Sequence, residues 1–186
     1  LKPAIEKTAA NIIEQIESLN KIASDFSKFS RPIRDPFEPV TLGNLIESVT
    51  DLYKHDDTIH LTSVINNSEI VIQCVPDEIR RVMINLVKNS IEATENGKCS
   101  ITIKAGKQGE YIFITIRDNG SGIPFENRDS IFVPNFSTKS SGTGLGLAIS
   151  KKIIEAHSGS IEFESKIGEG TAFTITLPID PPVKEA

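Results

Sequence analysis

Between about residue 40 and residue 178 the hydrophobic period of this chain passes from helical to strand-like three times. That order constrains the fold more than any other feature of the sequence. Leu42, Leu45, Ile46, Val49, Leu52 and Tyr53 recur at helical spacing, with Thr41 placed to cap the first turn. Residues 59–65 and 70–75 read as strands, and Asn66-Asn67-Ser68 between them is the signal of a hairpin turn. Pro76-Asp77 opens a helix to about residue 95, with Val82, Met83, Leu86, Ser90 and Ala93 on one face and Asn96-Gly97 to close it. Residues 100–105 and 111–117 alternate as strands joined by a Gly-containing turn. A polar Gly/Ser-rich stretch then covers residues 119–143, followed by a helix over 145–157 that Ser158-Gly159 stops. Two last strands, 161–165 and 172–177, end before Pro178. The expectation is an α/β fold, a mixed sheet covered on one face by helices.

Ahead of this unit, Ile5, Ala9, Ile12, Ile16, Leu19, Ala23 and Phe26 follow steps of four and three, the heptad pattern of a coiled-coil or bundle seam. Ile13, Ile22 and Phe29 widen the stripe. Residues 1–30 are therefore expected to form one long helix whose partner is an upstream helix, a second copy or both; the alternative is that it folds back on the domain that follows. Pro32, Pro36 and Pro39 break that helix, and the linker is placed at residues 31–39. The following domain is placed at residues 40–178 and a tail at 179–186. Hydrophobic residues make up 38% of the chain, enough for a core and too many for a disordered segment. The net charge of −5 argues against a nucleic-acid backbone as partner. No apolar run approaches the ~20 residues of a membrane-spanning helix. Cys74 and Cys99 stand in separate apolar segments without ligand spacing, which points to a reduced, cytoplasmic setting. Position 1 is not Met, so the sequence reads as a piece of something longer.

Four short motifs carry chemistry. Asn85 and Asn89, four apart, share one helical face; an amide oxygen ligates Mg²⁺ and an amide nitrogen reaches phosphate. Asp118-Asn119-Gly120-Ser121-Gly122 ends a strand, and its glycines let backbone approach a flat ligand while the carboxylate accepts from an exocyclic amine. Phe132 and Phe136 are placed to anchor a polar loop that ends in Lys139, a flexible cation within reach of a phosphate. Gly142-Thr143-Gly144-Leu145-Gly146-Leu147 enters a helix, where free N–H groups and the helix dipole attract phosphate. It is neither a dinucleotide fingerprint nor a Walker loop: Leu147 stands where the former needs glycine, and no Gly-Lys-Ser/Thr occurs.

Singly each motif is weak. In this order they resemble the N box, the first glycine box, the phenylalanine box and the second glycine box of the sensor histidine kinases. Gly168-Glu169-Gly170-Thr171-Ala172-Phe173 resembles the closing glycine box. The resemblance covers about residues 40–178. It implies a two-layer Bergerat-type α/β sandwich of a mixed sheet and helices, preceded by the long coiled-coil-like helix, with ATP bound between the N-box helix and a lid over residues 125–143. It further implies that Asp118 binds the adenine amine, with Gly120, Gly122 and Thr171 around it. Asn89 would ligate Mg²⁺, with Asn85 assisting at the metal or phosphates, and Lys139 would touch a terminal phosphate. The amides of Gly142, Thr143, Gly144, Leu145, Gly146 and Leu147 would cradle the triphosphate.

The N-terminal helix resembles the second helix of the family's dimerisation hairpin. Its phosphoacceptor histidine, on the first helix, is expected upstream of this sequence, because His55, His60 and His157 do not fit the role. The resemblance thus implies a bacterial protein-histidine kinase core in two-component signalling. Its partners would be a response-regulator receiver domain and a second copy through the N-terminal helix, with any membrane attachment made only by upstream segments. Clamp ATPases of the same fold place a water-activating Glu where Asn85 stands, and an amide takes no proton at neutral pH. They remain the alternative, together with a non-catalytic nucleotide-sensing module. Glu92 reads as a surface carboxylate, and His157 as a residue that closes its helix.

Overall fold

The computed structural model describes residues 36–94, 98–139 and 142–181, together with Ile13 and Ile16, which are helical and about half exposed. The rest of the expected N-terminal helix, linker residues 31–35, Asn96-Gly97 and residues 182–186 lie outside the described residues.

The chain enters through β1 (Glu38–Thr41) and passes directly into α1 (Leu42–Thr50), where Thr41 Oγ1 accepts from Asn44 N at 3.2 Å as its N-cap. Strand β1 thus takes in Glu38 and Pro39, which the sequence reading places in the linker. Strands β2 (Ile59–Ile65) and β3 (Val71–Cys74) precede α2 (Pro76–Glu92), which is followed by β4 (Cys99–Gln108) and β5 (Tyr111–Asp118). A long connection leads to α3 (Gly146–Ala156), and β6 (Ser160–Lys166) and β7 (Gly170–Pro178) complete the fold.

The expected hairpin of β2 and β3 does not form. β2 lies parallel to β4, with Ile59 opposite Cys99, while β3 pairs antiparallel with β1, Glu38 opposite Cys74. The turn itself is there: Asn67 takes a positive φ of 66°, and Gly43 N donates to Ser68 O at 2.9 Å. Asparagine chemistry fixes a local reversal, but the pairing partner is chosen by long-range burial. The residue before β3 is tied to the start of α1, where Leu42 N donates to Ile70 O at 2.8 Å, and α2 becomes the crossover that a parallel β2–β4 pair requires.

The main sheet runs β2-β4-β5-β7-β6, and all its pairs except β2–β4 are antiparallel. One face carries Ile101, Ile103, Ile112, Ile114, Ile116, Phe173, Ile175 and Leu177 against Val82, Met83, Leu86, Ile149 and Ile153 of the helices. Each fully buried side chain of this size stabilises the fold by about 1.5–3 kcal/mol. The other face is polar, with Thr115 and Thr174 paired across β5 and β7 at 3.0 Å. The molecule is therefore a two-layer α/β fold of a mixed sheet and helices, in agreement with the expectation.

The junction of α2 and α3 explains His157. It is buried at the C-cap of α3, its Nδ1 donates to Ile153 O at 2.8 Å, and its Nε2 accepts from Val75 N at 3.0 Å. Phe37 stacks on the ring at 4.8 Å between centroids. The helix-closing role read from the sequence is the observed one, with the entry to α2 held by the same ring.

Candidate functional site

The inward alternation of β5 buries Ile112, Ile114 and Ile116, and two residues further it buries Asp118. The same count along β7 brings Thr171 inward beneath Phe173. On α2, Ser90 follows Leu86 by four and shares its inward face. These three residues meet. Asp118 Oδ1 accepts from Gly120 N at 2.9 Å and Thr171 N at 3.0 Å. The single hydroxyl proton of Ser90 has two acceptors, Asp118 Oδ2 at 3.0 Å and Leu86 O at 3.1 Å. A carboxylate has about four lone-pair sites, so Oδ2 keeps acceptor capacity for an incoming donor.

Glycine is required around this acid because backbone passes close to backbone. A Cβ on Gly170 would stand 2.1 Å from Asp118 O, and one on Gly122 would stand 2.3 Å from Lys166 O. Both residues also have positive φ, 99° and 76°. Ser121 N donates to Ala93 O at the end of α2, and Gly168 N donates to Ser121 O. Asn119 is fixed sideways, its Oδ1 accepting from Ser100 N at 2.9 Å. The 118–122 loop is thus bound to α2, β4 and the β6–β7 turn.

Asn85 and Asn89 face the same side of α2. Asn85 Nδ2 donates to Ser150 Oγ at 3.0 Å, and Ser150 Oγ donates to Gly146 O at 2.9 Å, while among the described residues Asn85 Oδ1 has no hydrogen-bond donor. The contact is close: a Cβ on Gly146 would stand 2.5 Å from Asn85 Oδ1. Among the described residues the N-terminus of α3 has no side-chain cap and no acid in its first turn, so its leading N–H groups have no side-chain partner there beside Asn85. Asn89 is half-buried, and among the described residues its carboxamide has no hydrogen-bond partner. An uncommitted amide oxygen beside open helix donors suits a hydrated hard cation and its anionic ligand.

The connection from β5 to α3 opens with a short turn of 3-10 helix, Phe125–Asn127. Ile131 is buried, and Phe132 packs edge-on against Phe163 and Phe173 at 6.1 and 6.4 Å between centroids, so the loop is anchored as expected. Gly144, with φ 66°, lies against the backbone of Asn135 and Phe136, and its carbonyl accepts from Asn135 N at 3.0 Å. Gly142 N donates to Lys139 O at 3.3 Å, and Thr143 is half-buried and engaged. Leu145 is buried in the core, so only its backbone is available to a ligand, and Leu147 packs partly against the same core. Lys139 Nζ makes a 2.6 Å ion pair with Glu92 Oε2 of α2.

All the candidate residues therefore surround one region between α2, the ends of β5 and β7, the loop and the start of α3. Sequence reading missed the supporting residues Ser90, Ser150, Ser165 and Arg128. Ser165 Oγ accepts from Ile123 N at 2.8 Å and lies 2.9 Å from Thr171 Oγ1, while Arg128 Nη2 donates to Ser165 O at 2.5 Å. Ser90 alone gave a signal, since a hydroxyl on an apolar helical face needs a buried acceptor. Glu92, read as a plain surface carboxylate, is half-exposed but paired with Lys139.

Residues 74–181 match the family described as histidine kinase-, DNA gyrase B-, and HSP90-like ATPase. Sporulation kinase D of Bacillus subtilis (strain 168) is 34% identical over 175 residues, which are 91% of this chain and 34% of that protein. The chain spans about a third of the length of the curated relatives it matches. The nucleotide-free catalytic domain of histidine kinase ThkA superimposes with a TM-score of 0.72 at 33% identity, over 79% of this chain and 98% of that one. ThkA in complex with response regulator protein TrrA gives a TM-score of 0.75 at 28% identity, over 90% of this chain and 49% of the other.

Proposed function

The chain belongs to the histidine kinase-, DNA gyrase B- and HSP90-like ATPase family, and from that premise we propose that it is the ATP-binding catalytic core of a sensor histidine kinase. The observation that carries this reading is the buried Asp118 carboxylate, held by Gly120 N, Thr171 N and the Ser90 hydroxyl with acceptor capacity left on Oδ2. An acceptor without a donor of its own suits the amine of adenine and opposes the carbonyl that guanine presents in its place. Gly120, Gly122 and Thr171 shape the slot beside it. The N–H groups of Gly142, Thr143, Gly144, Leu145, Gly146 and Leu147 are assigned to the phosphates, Lys139 to the terminal one. Asn89 is assigned to Mg²⁺, with Asn85 Oδ1 as a second candidate. Bound there, Mg²⁺ would neutralise charge on the phosphates during transfer.

The chemistry asked of this chain is positioning. Asp118 fixes one end of the nucleotide and the α3 N-terminus orients the other, so that the γ-phosphoryl points out of the site toward a histidine on an upstream helix. The leaving oxygen stays on the nucleotide, and the new bond is made to an imidazole nitrogen. Asn85, whose amide nitrogen is committed to Ser150, cannot take a proton from water, which disfavours hydrolysis. The domain limits adopted are a partial dimerisation helix over residues 1–30 and a catalytic domain from about residue 38 to residue 178. A receiver domain would take the phosphoryl group onward, a second copy would pair through the N-terminal helix, and the site would face the cytoplasm. No described helix is long and apolar enough to cross a membrane.

The test uses the protein extended upstream by one helix, with Mg²⁺ and γ-labelled ATP. An acid-labile, base-stable label on that helix is the expected result. Tight ATP binding without label would exchange the kinase reading for a nucleotide-sensing module, and sustained phosphate release abolished by Asn89→Ala would favour a clamp ATPase.

A further inference from the structure

Glu92 is the group on the nucleotide side of α2 to which the proposed function gives no task. It follows Asn85 by seven residues and Asn89 by three, so the three polar side chains run along one face of the helix. The Glu92 carboxylate lies 2.6 Å from Lys139 Nζ and thereby joins the last turn of α2 to the loop that precedes Gly142. Folding does not account for it. A carboxylate in a last turn meets the negative end of the helix dipole. Both partners are more than a third exposed, so their ion pair adds little to stability. Its consequence is electrostatic: a fixed negative charge holds the one cation assigned to the terminal phosphate.

Resting on that assignment of Lys139, we infer that Glu92 is a specificity-determining residue, which makes the site select the magnesium complex of a nucleoside triphosphate over the metal-free anion. Glu92 and the terminal phosphate compete for one ammonium. When Lys139 turns to the phosphate, Glu92 loses its counter-charge and faces the polyphosphate across a short gap. A metal-free triphosphate then meets a bare carboxylate. In the magnesium complex the cation cancels two of the ligand's negative charges and lies beside Asn89, one turn from Glu92, so the repulsion is largely removed. The half-exposed setting screens the effect without abolishing it.

The experiment is calorimetric titration of the 186-residue chain with ATP in excess Mg²⁺, with ATP in a chelator, and with adenosine. The wild type should prefer the magnesium complex, and Glu92→Gln should shrink that preference about tenfold, chiefly by tightening metal-free ATP. Adenosine affinity should stay unchanged, and Glu92→Asp, which keeps the charge, should retain most of the wild-type preference. Gln keeps the shape and relieves the helix dipole, so the fold is expected to survive; unchanged adenosine affinity checks it. An equal magnesium preference in wild type and Glu92→Gln overturns the inference while leaving the ATP site standing. Failure of the wild type to bind ATP in either form overturns both.

Discussion

Asp118 owes its burial to the alternation of β5 and its chemistry to the three donors that meet it, so it separates packing from recognition well. In Asp118→Asn the side chain keeps its size, but one acceptor oxygen becomes an NH₂ facing N–H or O–H donors. The adenine amine would then meet either that NH₂ or a reduced acceptor. Hydrogen bonds to charged groups contribute about 1.5–3 kcal/mol, so ATP affinity should fall about tenfold to a hundredfold by calorimetry. An unchanged Kd would remove adenine from this position. Cys74 shows burial acting alone: desolvation pushes its thiol from the ordinary 9.0 up to about 12. With the folded value raised, the contribution to stability is complete below pH 9.0 and is lost as pH rises toward about 12, because the unfolded chain ionises first. Urea titrations between pH 8 and pH 11 should show stability falling only above about pH 9, with a smaller fall in Cys74→Ala. A fall of the same size in both proteins would assign it to other groups.

At the scale of elements, the sharpest contrast is between two glycines of one turn. Gly168 and Gly170 both have positive φ, but a Cβ on Gly168 meets nothing within 4 Å, whereas one on Gly170 would strike Asp118 O. Gly168→Ala should cost only the left-handed backbone penalty of about 1–2 kcal/mol, with ATP affinity unchanged. Gly170→Ala should cost more in chemical denaturation and should also weaken ATP binding, since relief requires the β5–loop junction to move. Equal losses in both variants would mean that close approach is not what demands glycine at 170. The sequence already disclosed much at this scale. Alternating apolar residues located β4, β5 and β7, and helical spacing located α1, α2 and α3 nearly to their ends. What it could not disclose was pairing. Asn66-Asn67-Ser68 marks a reversal in either topology, and nothing local distinguishes β3 beside β2 from β3 beside β1. Pro39 likewise argued for a linker, yet proline is tolerated in a short peripheral strand, and β1 forms in a two-stranded pair. The candidate site residues were legible as candidates because they stand in short runs with a fixed order. Their supports were not, because Ser150 and Arg128 acquire meaning only when residues 65 and 37 positions away are brought beside them.

For the whole molecule, the decisive fact is that no single element owns the site. Asp118 comes from β5, Thr171 from β7, Asn85, Asn89 and Ser90 from α2, Lys139 from the connecting loop, and the amides proposed for the phosphates from the end of that loop and the start of α3. The same helices and strands supply the central apolar cluster, in which Leu86, Ile116, Ile149 and Phe173 pack together. A ligand that bridges these elements binds only when the core is assembled, so its binding free energy adds to the stability of the domain as a unit. At a concentration a hundredfold above Kd the gain is about 2.7 kcal/mol. For a domain of this size each kcal/mol moves Tm by about 2–4 °C, which predicts a rise of about 5–10 °C with magnesium and ATP. Asp118→Asn at the same ligand concentration should show about half of that rise or less, since a Kd tenfold to a hundredfold higher cuts the gain to about 1.4–0.4 kcal/mol while the core is kept. The shape of the transition tests the argument as closely as its midpoint. If the site and the core form one cooperative unit, a single transition should move as a whole. Two transitions, of which only one shifts with ligand, would show that the loop and α3 fold and unfold apart from the sheet beneath them.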